Sequence, residues 1–260
     1  MRLHSKLVVL LCLSFLALVP ACAQTLRVAA AADLQYAMGD LAKQFEKHEG
    51  IKVLASFGSS GNFRSQIENG APFDLFFSAD AQYPKQLVDG GFAERDTFTV
   101  YAHGHLVLWA RPEENLDVRT NGMEALKDPR VRKIAVANPE LAPYGRAAVS
   151  ALQKAGLYET VKPKLIYGEN ISQAAQFAQS GNAQVGLLAL SLTFAESMKN
   201  GQTWEVPPNL YPVIEQAAVV IHSSANKKDA KLFLDFVKGS DGQAILAKYG
   251  LSSAGGGLTK

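Results

Sequence analysis

Four strand-to-helix turns carry residues whose types and spacing suit the binding of an anion. Residues 32–33, 59–62, 144–145 and 170–172 each place small or neutral polar residues at the predicted start of a helix. The first turn of a helix leaves backbone N–H groups unpaired and carries a partial positive charge, which favours anions. No Arg or Lys lies in these turns, although Arg64 and Arg146 follow within two of the helices. The pattern therefore predicts an anion site built from neutral donors.

Other patterns of reactive residues give no complete catalytic or metal site. The glycine-serine stretch at residues 58–61 lacks the spacing and the lysine of a P-loop, and neither Ser59 nor Ser60 lies in the GxSxG turn of a hydrolase. His103 and His105 would share one face of a strand, but no third metal ligand lies near them in the sequence. We predict no catalytic residue, no cofactor and no direct metal ligand.

The elements that must position the four turns follow from hydrophobic periodicity. Apolar runs of strand length alternate with helix-period stretches, which is typical of a layered α/β protein with mostly parallel sheets flanked by helices. The residues from Leu34 to Phe45 show the spacing of a one-faced helix that Gly50 ends, with Asp33 placed as its N-cap. Strands are predicted at 26–31, 52–57, 74–78, 97–110 (two strands), 133–137, 164–167, 185–190 and 216–221.

The order of these elements predicts two lobes. The chain leaves the first lobe near His103–Gly104–His105 and returns through the β-branched run at 216–221. We assign residues 24–103 and 216–260 to lobe I and residues 104–215 to lobe II. Two crossover strands between two lobes form a hinge and a cleft. Ligands bind at the carboxyl ends of strands in open α/β sheets, so two turns from each lobe would meet in the cleft.

Composition excludes several classes of protein. The chain has 260 residues, 48% of them hydrophobic, with 26 Lys and Arg against 24 Asp and Glu and only two cysteines. It is therefore not a disordered, collagenous or disulfide-stapled chain. A formal net charge of +2 gives no electrostatic footprint for nucleic acid, so we predict no nucleic-acid partner.

The first residues have the pattern of a secretory signal peptide. Arg2 and Lys6 precede an apolar run at residues 7–19, which the small-residue stretch 21–23 follows. We predict cleavage after Ala23 and export to the periplasm. Both cysteines, Cys12 and Cys22, lie in the removed segment, and an alternative is lipid attachment at Cys22.

Four runs of sequence resemble the periplasmic molybdate-binding proteins of ABC importers. They are VAAAADL at 28–34, SFGSSG at 56–61, GAPFDLFFSAD at 70–80 and KYG at 248–250. The resemblance implies the two-lobed type II periplasmic-binding fold, closure on a tetrahedral oxyanion such as molybdate or tungstate, and delivery by a monomer to an ABC permease in the inner membrane. In that family hydroxyls and backbone N–H groups hold the anion. Carried over by position, the ligand-binding residues are Asp33, Ser60, Tyr144, Ile171 and Ala189, with Ser59 beside them.

Two of these positions depart from the family pattern. Asp33 stands where the best-known members have a serine, and Ala189 stands where they have a tyrosine. A carboxylate about 4 Å from a dianion would cost about 8 kcal/mol at an effective dielectric near 20. Asp33 therefore either caps its own helix or accepts a hydrogen bond from a ligand that carries a proton, such as hydrogen phosphate or a phosphonate.

Other functions stay open at this point. A ferric-binding protein of similar architecture would use phenolates, and an exported enzyme on the same fold would need a nucleophile that the sequence does not supply. A sensor that passes the closed state to a membrane kinase would have the same sequence features. The tyrosines available to a ferric site are Tyr83, Tyr101, Tyr144, Tyr167 and Tyr211.

Overall fold

The computed structural model describes residues 25–254, which form two separate β-sheets. The first sheet has the spatial order 11-4-10-3-1-2, numbered along the chain. Its strands are β1 (Thr25–Ala31), β2 (Lys52–Gly58), β3 (Leu75–Ser78), β4 (Thr99–Gly104), β10 (Ile214–Val220) and β11 (Ser252–Ser253).

The second sheet is formed by the middle of the chain and has the order 7-6-8-5-9. Its strands are β5 (Leu106–Ala110), β6 (Ile134–Ala137), β7 (Leu165–Gly168), β8 (Val185–Ala189) and β9 (Gln202–Glu205).

Helices cover both sheets. They are α1 (Gln35–Glu49), α2 (Ser60–Glu68), α3 (Gln82–Asp89), α4 (Val118–Asn121), α5 (Pro143–Lys154), α6 (Tyr158–Val161), α7 (Ile171–Ser180), α8 (Lys227–Lys238) and α9 (Ser240–Lys248). The predicted helix after residue 34 is confirmed: Met38, Leu41 and Phe45 lie on its buried face, and Gly50 ends it at a φ of 70°. None of the helices in the described part of the chain is long and apolar enough to cross a membrane.

The predicted α/β class is confirmed, but the sheets are mixed rather than mostly parallel. Strands joined through helices, such as β1 with β2 and β6 with β7, pair in parallel, as helical crossovers require. In each sheet, the strand through which the chain enters from the other sheet runs the opposite way. Thus β10 is antiparallel to both β3 and β4, and β5 is antiparallel to β8 and β9.

The chain passes between the sheets at two places. It leaves the first sheet at Gly104 and enters the second at Leu106, and it returns between Glu205 and Ile214. Each sheet has its own buried apolar side chains, including Phe45, Phe77 and Phe233 on one face of the first. The exact lobe boundaries at 103/104 and 215/216 stay a prediction. The predicted signal peptide and Cys22 lie outside the described residues.

Candidate anion-binding site

The structure brings five of the six predicted site residues to one small cavity between the lobes. Asp33, Ser59 and Ser60 line it from the first lobe, and Tyr144 and Ile171 line it from the second. The space open to a water-sized sphere is about 10 Å³, near the least that admits one water molecule. Within the described chain no Arg, Lys or His lines it. The other lining residues are Ala31, Ala32, Gly58, Ala79, Ala142 and Pro143.

The sixth residue, Ala189, is not among the residues that line the cavity. It is the buried last residue of β8 and pairs with Leu106. Its methyl group has no hydrogen-bonding capacity, so a contact with the ligand would have to come from its backbone. That contact stays a prediction.

Ser59 and Ser60 form the start of α2. Ser59 is the N-cap, and its Oγ accepts a hydrogen bond from the N–H of Asn62 at 3.4 Å. The fully buried Ser60 Oγ accepts the N–H of Ala79 at 3.1 Å. A hydroxyl also has one proton to donate. No protein group between residues 25 and 254 accepts the hydroxyl proton of Ser60, so this proton is available to a ligand.

Tyr144 and Ile171 lie in the first turns of α5 and α7. Pro143 occupies the first position of α5, where its missing N–H costs nothing. The α7 helix is capped by Asn170, whose Oδ1 accepts the N–H of Gln173 at 3.0 Å. Backbone N–H groups in a first helical turn have no partner within the helix, so both turns present donors to the cavity.

The interpretation of Asp33 as a helix N-cap is wrong. A short 3₁₀ turn, Ala32–Leu34, separates β1 from α1, so the cap position falls on Leu34. The Asp33 carboxylate points away from its own helix instead. Its Oδ2 accepts hydrogen bonds from the hydroxyl of Tyr144 at 3.2 Å and from the side-chain amide of Gln216.

Two residues that support Asp33 were missed from the sequence. Gln216, fully buried on β10, also approaches the Tyr144 hydroxyl at 3.3 Å through its Nε2. Tyr101 on β4 donates its hydroxyl to Gln216 Oε1 at 2.7 Å, which turns the amide nitrogen toward Asp33. A single glutamine within the apolar strand sequence IEQAAVV is the signal that could have identified it.

Burial controls the protonation of this cluster. It raises the pKa of Asp33 from 3.8 to about 6, against the opposing effect of the hydrogen bonds from Gln216 and Tyr144. Asp33 Oδ1 is buried and has no hydrogen-bond partner among the described protein groups. Burial also raises the pKa values of Tyr101 and Tyr144 well above 10, so both phenols stay neutral donors.

The two lobes contact each other around the cavity. Gly61 N–H donates to the carbonyl oxygen of Leu141 at 3.0 Å, and the hydroxyl of Ser172 donates to Gln35 Oε1 at 2.8 Å. Ser191 Oγ donates to the carbonyl oxygen of Asp33 at 2.7 Å. These hydrogen bonds hold the lobes in a closed arrangement over the site.

The two arginines near the turns are engaged elsewhere. Arg146 bridges the lobes, pairing with Asp80 and donating to the Tyr83 hydroxyl at 3.0 Å. Arg64 pairs with Glu68 of its own helix at 2.8 Å. Neither guanidinium lines the cavity, which leaves the neutral donors to face it.

The other candidate residues do not form a metal site. His105 lies between β4 and β5 and does not share a strand with His103. Its Nε2 is 2.6 Å from Ser252 Oγ. Tyr101 and Tyr144 both contact Gln216, whereas Tyr167 is 46% exposed and the Tyr211 hydroxyl accepts the N–H of Leu106 at 3.2 Å, so the five tyrosines do not form one group. No group of three or more His, Cys, Asp or Glu side chains suited to a metal ion occurs among residues 25–254.

Comparison with known proteins adds independent findings. A family model described as bacterial extracellular solute-binding protein matches residues 26–252. The molybdate-binding protein ModA of Azotobacter vinelandii is 41% identical over 248 residues, which is 95% of this chain and 96% of that protein. ModA of Rhodobacter capsulatus is 40% identical over 231 residues, or 89% of each chain.

A solved structure supports the same fold. The periplasmic molybdate-binding protein of Azotobacter vinelandii superposes with a TM-score of 0.82 at 36% sequence identity, covering 87% of this chain and 98% of that one. The two-lobed periplasmic-binding fold expected from the sequence is thereby confirmed.

Proposed function

Because this chain belongs to the family of bacterial extracellular solute-binding proteins, we propose that it binds molybdate in the cleft between its lobes and delivers it to an ABC permease. Relatives at 41% and 40% identity over nearly their full lengths are molybdate-binding proteins, which supports the choice of anion. Tungstate has the same shape and charge, so the same site binds it as well. The protein works as a monomer that presents its closed form to the permease.

The observation that carries this proposal is the convergence of helix starts on a cavity without cationic side chains. The starts of α2, α5 and α7 face it, together with the free hydroxyl proton of Ser60. Buried neutral donors in fixed positions stabilise an anion because the donors need little reorientation when the anion binds. Helix N-termini bind phosphate and sulfate in this way. We propose Asp33, Ser59, Ser60, Tyr144 and Ile171 as the residues that contact the anion, with a backbone contribution from Ala189 of β8.

The proposed cellular location is the periplasm. The signal sequence at residues 1–23 would direct export, and the family is described as extracellular. Mass spectrometry of the processed protein distinguishes a free periplasmic protein from a lipid-anchored one. A chain that begins at Gln24 fits cleavage after Ala23, whereas a lipid-modified Cys22 at the new N-terminus fits membrane anchoring.

The test of function is a titration of the purified protein with single anions. We expect molybdate and tungstate to raise the melting temperature and to give saturable heats in calorimetry at one ion per chain. Sulfate and phosphate at equal concentration serve as controls of shape and protonation. A protein that responds to neither molybdate nor tungstate contradicts the proposal.

A second candidate function is the binding of an oxyanion that carries its own proton. The unpaired Oδ1 of Asp33 favours it, since an ionised carboxylate oxygen can accept a hydrogen bond from hydrogen phosphate or a phosphonate. In that case phosphate, and not molybdate, would stabilise the protein in the same titration.

A further inference from the structure

A buried carboxyl group in a site for a dianion needs an electrostatic explanation. Asp33 is 1% exposed, lines the cavity, and takes part in no ion pair within residues 25–254. Its negative charge would repel a doubly charged anion across a space that admits little water. Either the site excludes such anions or the carboxyl group is neutral when one is bound.

The hydrogen bonds of Asp33 determine which oxygen can carry a proton. Oδ2 accepts from both Tyr144 and Gln216, and Tyr101 fixes the Gln216 amide in the donating orientation. An oxygen that already accepts two donors is a poor place for a proton. Oδ1 has no such donor, so a proton on this carboxyl group resides on Oδ1 and is free to be donated.

We propose that Asp33 takes up one proton from solution when molybdate binds and donates it, through Oδ1, to an oxygen of the anion. The carboxylate becomes a neutral carboxylic acid, and the anion keeps its full charge. Asp33 then acts as a hydrogen-bond donor, the role that a serine hydroxyl would have at this position. This inference rests on the proposed function, because it assumes that the cavity receives a dianion.

The elements packed most closely against the Asp33 turn bring few titratable side chains to it. Of the elements packed against its turn, α7 and residues 190–194 carry no titratable side chain, and β2 carries only Lys52 at its far end. The first charged residue of α1, Asp40, is bonded to Lys248 and Tyr249. The remaining titratable groups on neighbouring elements are Tyr36, Lys43, Glu46, Lys47, His48 and Glu49 on α1, Tyr144, Arg146 and Lys154 on α5, Tyr101 and His103 on β4, and Glu215 on β10.

Proton uptake by Asp33 makes the affinity for molybdate depend on pH. Burial places the pKa of Asp33 at about 6 in the closed protein, and a bound dianion beside it raises that pKa further. Above pH 6 the free protein is mostly ionised at Asp33, so binding must include proton uptake. Molybdate affinity should therefore rise by nearly tenfold for each unit of decrease in pH between about 8 and 7, and should level off below about 6.

Calorimetry in buffers of different ionisation enthalpy counts the protons directly. Molybdate is titrated into the wild-type protein in MOPS and in Tris at pH 8, and again in two buffers at pH 6. We expect an uptake of about one proton per anion at pH 8 and about half a proton at pH 6. Asp33→Asn should bind with no proton uptake and with a pH-independent affinity, whereas Asp235→Asn on the exposed side of α8 should behave as the wild type.

The outcomes separate this inference from the proposed function. Molybdate binding without proton uptake in the wild type, or with equal uptake in Asp33→Asn, overturns the role of Asp33 and leaves the receptor function intact. Binding of phosphate without uptake, and in preference to molybdate, assigns the proton to the ligand and also overturns it. If neither molybdate nor tungstate gives any heat with the wild type, the proposed function itself fails. The wild-type measurements suffice should Asp33→Asn not fold.

Discussion

The turns after β1 and β2 lie side by side in the first lobe and both open onto the cavity, yet they hold their polar side chains differently. The turn after β2 supports itself within the lobe: Ser59 caps α2, and Ser60 is held by the N–H of Ala79 after β3. The turn after β1 depends on distant parts of the chain. Asp33 is held by Tyr144 from the second lobe and by Gln216 from the returning strand β10.

The difference shows how the two turns can serve one anion by opposite means. A serine hydroxyl is neutral at every relevant pH and needs only one local contact to be oriented. A carboxyl group in the same cavity needs several donors to make its burial tolerable. These donors are Tyr144 and Gln216, which are separated from Asp33 by 111 and 183 positions in the sequence. The Ser60 turn should therefore tolerate changes elsewhere, whereas the Asp33 turn should depend on pH and on the hinge strands.

The largest effect that we expect is on stability as a function of pH. Asp33 has a pKa of about 6 in the folded protein against 3.8 ordinarily, so the folded state holds this proton more tightly than the unfolded chain. The resulting stabilisation is complete below about pH 4 and is lost as pH rises through about 6, by about 3 kcal/mol in all. Asp33→Asn lacks this titration, so its free energy of unfolding relative to wild type should rise by most of that amount from pH 4 to pH 8.

Urea unfolding of both proteins, without anions, at several pH values measures this difference. Asp235→Asn provides the control for removing one carboxylate. A constant difference between Asp33→Asn and wild type across the range would show that burial does not perturb Asp33.

The next effect concerns binding at the self-supporting turn. Ser60→Ala removes the hydroxyl that is free to donate and should weaken molybdate binding by about 1.5–3 kcal/mol, the range for a hydrogen bond to a charged group. Its free energy of unfolding should change less than its binding energy. Ser65→Ala, on the exposed side of the same helix, should retain full affinity. Unchanged affinity in Ser60→Ala would place the anion elsewhere.

A third effect tests whether the Asp33 turn depends on the hinge. Gly104, the last residue of β4, has no side chain, and a Cβ there would collide with the Tyr144 hydroxyl and lie 2.9 Å from Gln216 Nε2. Gly104→Ala should destabilise the protein by about 1–3 kcal/mol, as overpacking does in cores, and should also weaken molybdate binding. Gly39→Ala, which has open space around it within α1, is the matched control. A Gly104→Ala protein with wild-type stability and affinity would argue against the coupling.

The sequence predicted the Asp33 turn less well than the Ser59–Ser60 turn. The Ser59–Ser60 start of α2 follows from local pattern, because capping and helix onset depend on neighbouring residues. The partners of Asp33 depend on how two lobes close and on which side chains of β4 and β10 point inward, and neither is encoded in a local pattern. The same limit explains the antiparallel strands: no residue of β10 fixes the direction of that strand, which is set by the return of the chain from the second lobe.

The smallest effect that we expect is from salt. Arg64 and Arg146 are paired with Glu68 and Asp80, and the cavity is lined by neutral donors besides Asp33. Hydrogen bonds to a buried anion are screened little, so molybdate affinity should change only slightly between low and moderate sodium chloride. A steep loss of affinity with salt would indicate that a cation, such as Arg146 released from Asp80, carries the binding.

The most direct test of the central claim is the crystal structure of the protein with molybdate, with the anomalous scattering of molybdenum used to locate the ion. We expect one molybdenum peak in the cleft, with oxygens in hydrogen-bond contact with Ser60 Oγ, with backbone N–H groups at Tyr144 and Ile171, and with Asp33 Oδ1. A peak outside the cleft, or an anion held by arginine or lysine side chains, would contradict it.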